Sequence, residues 1–374
     1  MKVALVHDYI KEYGGAERVL EALSEIYPEA PIYTTVYLPS YLGPHRERFK
    51  KLNIKTSWAQ YLPFKAKLIS PLRIISPLIF RSFDLSNFDV VIVSQTGAYI
   101  PNSIKKGKAK QITYCHTPPR YLYGYATARE WKKNIFFRVL GEAANHFLRI
   151  VDYNASQNVD YFIANSQNVR KRIQKFYRKD ATVIYPPVVV DSKFKIQNSK
   201  LPKDEYFLAG GRLARPKHID LIVDTFAKNG KHLKVFGKAF AGYGEELKKK
   251  TKGNIEFLGE VTDEEKYQLM QSAKAFVFAS EDEDFGITPV EAESLGTAVI
   301  AFASGGTLES VVDGKTGIFF SALTLDSLSK AVEKFNELKL NKKDIVKQGS
   351  KFSESIFKSK IKEFVKKHAG TSRS

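Results

Sequence analysis

The sequence predicts the α/β class, arranged as two doubly wound domains, and three observations carry that reading. The chain has 374 residues, more than one ordinary core accommodates. Short β-branched or apolar runs alternate with helical patterns, which argues for parallel sheets covered on both faces. The alternation occurs twice, once on each side of a proline-marked polar stretch.

In the first half the strand-like runs are "KVALVHD", "DVVIVSQ", "QITYCHT" and "YFIANS". In the second they are "YFLAGGR", "LKVFG", "IEFLG", "AFVFAS" and "AVIAF". Helical periodicity covers residues 16–26, 166–176 and 219–227. The break falls in "YPPVVVDSKFKIQNSKLPKDEY", where Pro186 and Pro187 stop the preceding element. The expected domains are therefore residues 1–185, joined by a returning helix at 352–368, and residues 186–351. The tail "AGTSRS" reads as disordered.

Composition narrows the class. Hydrophobic residues at 43% and charged residues at 26% are the balance of a soluble globular protein. A net charge of +19 calls for an anionic partner, whether phosphorylated substrate, acidic membrane surface or nucleic acid. No zinc finger, RNP sequence or basic zipper accompanies the charge, so no nucleic-acid partner is expected. One cysteine, Cys115, excludes an internal disulfide and fits a reducing cytoplasm. The opening "MKVALVHDYI" is too short in its apolar part for a signal peptide and reads as a first strand.

One stretch breaks the rhythm. Residues 61–83, "YLPFKAKLISPLRIISPLIFRSF", are apolar, interrupted by prolines and studded with Lys65, Lys67, Arg73 and Arg81. Those cations and prolines exclude a spanning helix. Two readings stand: a loop and helix packed on the first domain, or an interfacial segment touching anionic lipid or a lipid-linked acceptor.

The second half carries the chemistry. In "LAGGRLARPKHID", Gly210 and Gly211 follow a strand, and Arg212 and Lys217 precede a helix. Glycines let backbone approach a ligand, and two nearby cations can neutralise a diphosphate. A leaving nucleoside diphosphate gains negative charge as its glycosidic bond breaks, so fixed cations lower the barrier. In "EDEDFGITPVEAESLG", Glu283 lies in a loop, Pro289 near a helix start and Glu291 in the expected first turn. A carboxylate accepts two hydroxyls at once, as ribose or a hexose presents them. Asp282-Glu283-Asp284 has the D-x-D spacing of some metal sites, but no further ligand is placed beside it in sequence. "SGGTLESVVDGKTGIFF", with Gly305, Gly306 and Glu309, reads as a further loop at the same sheet edge.

Together "EDFGITPVE", "GGRLARPK", "GGTLESVVDGKTG" and the N-terminal "GGAERVLEAL" resemble the retaining glycosyltransferase family 4 over nearly the whole chain. The resemblance implies the GT-B fold: two Rossmann-like domains with an interdomain cleft that takes the donor. "FDLSNFDVVIVS" and "YCHTPPRYLY" look most like the bacterial mannosyltransferases that use GDP-mannose to build cell-surface polysaccharides. On this resemblance Arg212 and Lys217 match the pair on the donor diphosphate. Glu283 matches the acid near the transferred sugar's hydroxyls, with Phe285, Gly286 and Ile287 of the same motif around the donor. Glu291 matches the acid on the ribose. Gly15 matches the loop facing the donor phosphates, and His116 matches a histidine beside the donor sugar. Asp8, at the end of the first strand, could orient the acceptor or simply cap a turn.

The expected partners are a nucleotide-sugar donor, GDP-mannose ahead of a UDP-hexose, and a glycan or lipid-linked acceptor. No cofactor and no metal is expected, and the expected location is cytoplasmic, peripheral at the inner face of the cell membrane. The extra residues between Gly237 and Gly242 depart from the family's short Gly-x-Gly turn and leave the base open. A non-catalytic nucleotide-sugar or membrane-binding module is the rival of another class. An oxidoreductase is disfavoured, because no strand is followed by G-x-G-x-x-G with an acid about twenty residues on.

Overall fold

The computed structural model describes residues 1–126, 135–190, 205–239, 243–248 and 253–369. Most of the polar break, Gly242 of the glycine loop and the tail after Ala369 lie outside them. The described chain divides into two units: residues 1–125, 135–187 and 354–369 form the first, and chiefly 188–353 the second.

The first unit runs β1 (Val3–His7), α1 (Gly15–Ile26), β2 (Ile32–Thr34), β3 (Ile54–Thr56), α2 (Lys65–Leu68), α3 (Leu72–Arg81) and β4 (Val90–Gln95). It continues with β5 (Lys110–Cys115), α4 (Ile135–Gln157), β6 (Tyr161–Ala164), α5 (Gln167–Tyr177) and β7 (Ala181–Val183). The strands form one sheet in the order β3-β2-β1-β4-β5-β6-β7. Every pairing in it is parallel. β1 and β4 are buried along their whole length, as a sheet covered on both faces requires. Alternate residues serve different cores: Val3, Leu5 and Ile92 pack with Leu20 and Leu23 of α1, while Ala4, Val6 and Val93 pack with Ile79 and Phe80 of α3.

The second unit runs β8 (Tyr206–Gly210), α6 (Ile219–Asn229), β9 (His232–Phe236), α7 (Tyr243–Lys248), β10 (Ile255–Gly259), α8 (Asp263–Ser272) and β11 (Phe276–Phe278). Then come α9 (Ile287–Ser294), β12 (Val299–Phe302), α10 (Thr307–Ser310), β13 (Gly317–Phe320), α11 (Leu325–Glu337) and α12 (Lys342–Ser350). Its parallel sheet has the order β10-β9-β8-β11-β12-β13. In both sheets the strand order reverses beside the first strand, at β1/β4 and at β8/β11. Crevices for ligands open at such points, outside the carboxyl ends of the strands.

The last helix, α13 (Glu354–Ala369), returns to the first unit. It starts later than the sequence pattern suggests, because Phe352 is held in the second unit: its carbonyl accepts from Val188 and its ring meets Phe285 edge-on. Phe357, Ile361 and Val365 enter the core beside β1, and the Phe357 ring lies 5.8 Å from that of Tyr114.

The 61–83 stretch divides between its two readings. Leu72, Ile79 and Phe80 are core residues, whereas Tyr61, Phe64, Ile74 and Leu78 are exposed. Among the described residues no helix is long and apolar enough to cross a membrane.

Phe357→Ala should lower the stability of the first unit by about 3–5 kcal/mol, the usual cost of emptying a fully buried phenylalanine site. Urea denaturation of the full chain checks this, and an unchanged midpoint would show that α13 does not anchor that core.

Candidate functional site

At the β8/β11 reversal, loops from neighbouring strands are laced together by backbone. Gly211 N–H donates to the carbonyl of Phe236 at 3.2 Å, and Leu213 N–H to that of Lys238 at 3.0 Å. Glu281 N–H donates to the carbonyl of Pro216 at 2.9 Å, joining the "GGRLARPK" loop to the "EDFG" loop. Gly306 N–H donates to the carbonyl of Glu283 at 2.8 Å, which brings the loop after β12 to the same edge.

This lacing brings two of the expected side chains together. Lys217 closes a 3-10 turn, Arg215–Lys217, and its ammonium donates to Glu283 Oε2. The same oxygen accepts the Ser280 hydroxyl at 2.7 Å. Lys217 Nζ also lies 5.1 Å from the centre of the Phe278 ring. Arg212 is exposed one residue beyond Gly211, at the same strand end. A cation and an oriented carboxylate thus share one sheet edge. The first suits a diphosphate and the second suits hydroxyls.

Glu291 departs from its expected place. α9 begins at Ile287, so Glu291 is beyond the first turn, and that turn contains no acid. The left-handed Gly286, at φ 90°, lets the helix start before Pro289 rather than at it. Glu291 is 2% exposed, and its Oε1 accepts from Lys266 at 2.9 Å; Lys266 is also paired with Asp263. Lys266 was invisible to sequence reading, since no spacing rule links α8 to α9; Ser280 and Asp263 were passed over, although each lies three residues from its partner, Glu283 and Lys266. Phe285 is buried with its ring 5.2 Å from that of Phe352, which leaves its backbone rather than its ring to face a ligand. Among the described residues no group of three His, Cys, Asp or Glu side chains is placed to hold a metal.

The edge of the first sheet is built from buried polar side chains. Gly15 opens α1, whose capping Gly14 donates its N–H to Glu17 Oε2 at 2.9 Å. Glu17 Oε1 faces His7 Nε2 at 3.6 Å, and His7 Nδ1 meets Ser94 Oγ at 3.1 Å. Ser94 Oγ meets His116 Nε2 at 3.0 Å. A proton on His7 Nε2, toward the carboxylate, lets Ser94 donate to His7 and accept from His116, leaving His116 Nδ1 as an acceptor. Burial, with His7 nearby, depresses His116 to about 3, so the ring is neutral at ordinary pH. Asp8 holds the β1/β4 reversal: its Oδ2 accepts from the Thr96 hydroxyl and from the N–H groups of Ala98 and Tyr99, both at 3.1 Å. Burial raises its carboxyl above the usual range.

Comparison with known proteins follows the same division. Residues 13–192 match the model described as Glycosyltransferase Family 4, and residues 191–352 match that of glycosyl transferases group 1. Anabaena HepE, solved with UDP and glucose, superposes with a TM-score of 0.71 at 18% identity, over 98% of this chain and 99% of its own. Sucrose-phosphate synthase of Thermosynechococcus elongatus gives 0.71 at 15% identity over 100% of both chains. Fold and family models together define a glycosyltransferase enzyme of the GT-B fold, so the non-catalytic alternative falls away. The chain belongs to glycosyltransferase family 4. Its curated relatives include alpha-1,3/1,6-mannosyltransferase ALG2 of Dictyostelium discoideum, 26% identical over 343 residues and 79% of each chain. The human enzyme of that name is 28% identical over 284 residues, spanning 66% of this chain and 64% of its own.

Two buried groups set opposing pH trends. His116, held at about 3 against an ordinary 6.5, binds its proton less well when folded, so it adds stability as pH rises across that window. Glu293 is pushed by burial from 4.5 to about 8, with Thr316 donating to it at 2.6 Å, so folded protein holds the extra proton and stability falls as pH rises toward 8. Above 6.5 the histidine contributes no further slope. Thermal unfolding should therefore occur at progressively lower temperature between pH 7 and pH 8, and Glu293→Gln should flatten that decline. A wild-type melting temperature flat over this range would contradict the assignment.

Proposed function

We propose that the enzyme transfers a hexose, first of all mannose from GDP-mannose, to a glycan or lipid-linked acceptor in cell-surface polysaccharide synthesis. The observation that carries the reading is the meeting of Lys217 and Glu283 at the carboxyl edge of the second sheet. Arg212 and Lys217 neutralise the charge that grows on the leaving nucleoside diphosphate, and no metal is required for that step. Glu283, oriented by Ser280, accepts hydroxyls of the transferred sugar. Glu291, braced by Lys266, accepts those of the ribose. Gly15 and the backbone of Phe285, Gly286 and Ile287 approach the donor, and His116 accepts a hydroxyl from its sugar.

Configuration at the anomeric carbon is retained. The leaving phosphate takes the acceptor's proton on the face it departs from, and the protein contributes positioning and electrostatics rather than a covalent intermediate. The work is cytoplasmic, at the inner face of the cell membrane.

That the curated relatives are mannosyltransferases supports mannose. A UDP-hexose is the second reading, favoured by the UDP, glucose and UDP-glucose held in the HepE structures. Calorimetry with GDP and UDP separates the two. A site built for guanine leaves polar groups unpaired around uracil, so GDP should bind much the tighter, and tighter UDP would reverse the choice of donor.

Lys217→Ala should lower kcat by about 10²–10³-fold with a smaller change in donor KM, because leaving-group charge is greatest in the transition state. An unchanged kcat would remove Lys217 from the mechanism.

A further inference from the structure

Two helices of the first unit leave apolar faces uncovered. α3 packs Leu72, Ile79 and Phe80 inward, yet Ile74 and Leu78 on its other side are 58% and 63% exposed. Apolar residues on both sides of a helix call for cover on both. α4 is apolar on both sides. It buries Leu148 and Ala155 together with the polar Asn145, Asp152 and Ser156, and it exposes Val139, Leu140, Phe147 and Ile150. Positions 140, 143, 147 and 150 repeat at helical spacing, so they form one stripe. The two helices are neighbours. Arg73 of α3 stacks 4.1 Å over the Tyr121 ring, and the Tyr121 carbonyl accepts from Asn145 of α4 at 3.3 Å.

The chemistry around these faces is one-sided. Residues 61–83 contain four Lys or Arg and no Asp or Glu. Lys67 and Arg81 are exposed there, as is Arg138 on α4. The loop ahead of α2 exposes Tyr61 at 85% and Phe64 at 78%. Aromatic rings beside cations are what settles at the headgroup level of a bilayer. A second copy of this chain is a poor cover, since a two-fold interface would set these cations against their own kind.

We propose that the outward faces of α3 and α4 form the surface by which the protein rests on an anionic lipid bilayer. This deepens the membrane location given above and is independent of the donor. The apolar stripes enter the headgroup boundary while the cations meet lipid phosphates. α4 is the part that the 61–83 segment alone did not disclose.

The experiment is sedimentation of the full chain with vesicles of phosphatidylcholine, with and without phosphatidylglycerol. The wild type should bind the anionic vesicles, less well as salt rises. Leu78→Glu with Phe147→Glu, and separately Lys67→Glu with Arg81→Glu, should each weaken binding by at least about tenfold. Both are surface changes, and circular dichroism confirms folding; the charge variant still decides the matter if the apolar one unfolds. Equal binding to neutral vesicles, no binding by the wild type, or unchanged binding by the variants overturns the proposal. So does self-association of the wild type that the same variants abolish. Nucleotide binding is measured alongside. A wild type that binds nucleotide but no vesicles counts against the surface alone, and one that binds vesicles but no nucleotide counts against the donor site alone.

Discussion

The arrangement at the second sheet's edge depends on backbone packed too closely for any side chain. A Cβ at Gly237 would sit 1.8 Å from the Gly211 carbonyl oxygen. One at Gly305 would sit 2.1 Å from the Glu283 carbonyl oxygen, and one at Gly306 would sit 2.3 Å from the Phe285 Cα. Those contacts let the loops after β9 and β12 press on the two loops that carry Lys217 and Glu283. Loops are normally the mobile part of a doubly wound domain. Here glycines convert four of them into one braced edge, and charges fixed in advance are those that help a transition state.

The first sheet reaches its edge by other means. Its reversal point is held by a carboxylate, Asp8, that satisfies two N–H groups and one hydroxyl of the chain after β4. Beside it, Glu17 serves both the start of α1 and the ring of His7. Leaving any of these groups unpaired in the interior would be costly, so each partner restricts the next. His116 is therefore positioned through Ser94 and His7 by the residue that caps the "GGAER" helix. A loop that resembles a phosphate-facing motif and a histidine that resembles a sugar contact are thus linked, by the hydrogen bonds through Ser94 and by the 3.6 Å approach of Glu17 to His7.

Much of this was legible in the sequence, for a physical reason. Strands buried on both faces must be continuous β-branched or apolar runs, and β1, β4, β5, β6 and β8 to β12 all announced themselves that way. β2, β3 and β7 are as short as β11, but only β11 is buried throughout; the partly exposed residues of the other three break the apolar run. β13 was hidden inside a motif that reads as a loop. Periodicity did not reveal α4 at all, and nothing in a pattern says that its buried side carries Asn145, Asp152 and Ser156 beside Leu148 and Ala155. At the site, Glu283 and Lys217 were found because their loops follow strands in recognisable glycine contexts. Lys266, Ser94 and His7 were not, because each is defined by a partner on another element; Ser280, three residues before Glu283, looks like any loop serine until the bond is seen.

The Lys217–Glu283 pair has a consequence for binding. Their side chains are 29% and 14% exposed, so the pair is neither sealed in low dielectric nor fully screened. An ion pair in that position is weakly favourable, and exchanging one partner costs little if a stronger one arrives. On the proposed reading a diphosphate brings more than one negative charge within reach of Lys217, which outweighs a single carboxylate. Glu283 then keeps the Ser280 hydroxyl and turns its remaining capacity to the sugar. Without donor, the pair holds both side chains near the positions they need and spares each from being a buried charge without a partner. With donor, the same two groups separate their duties, one toward the phosphate and one toward the hydroxyls.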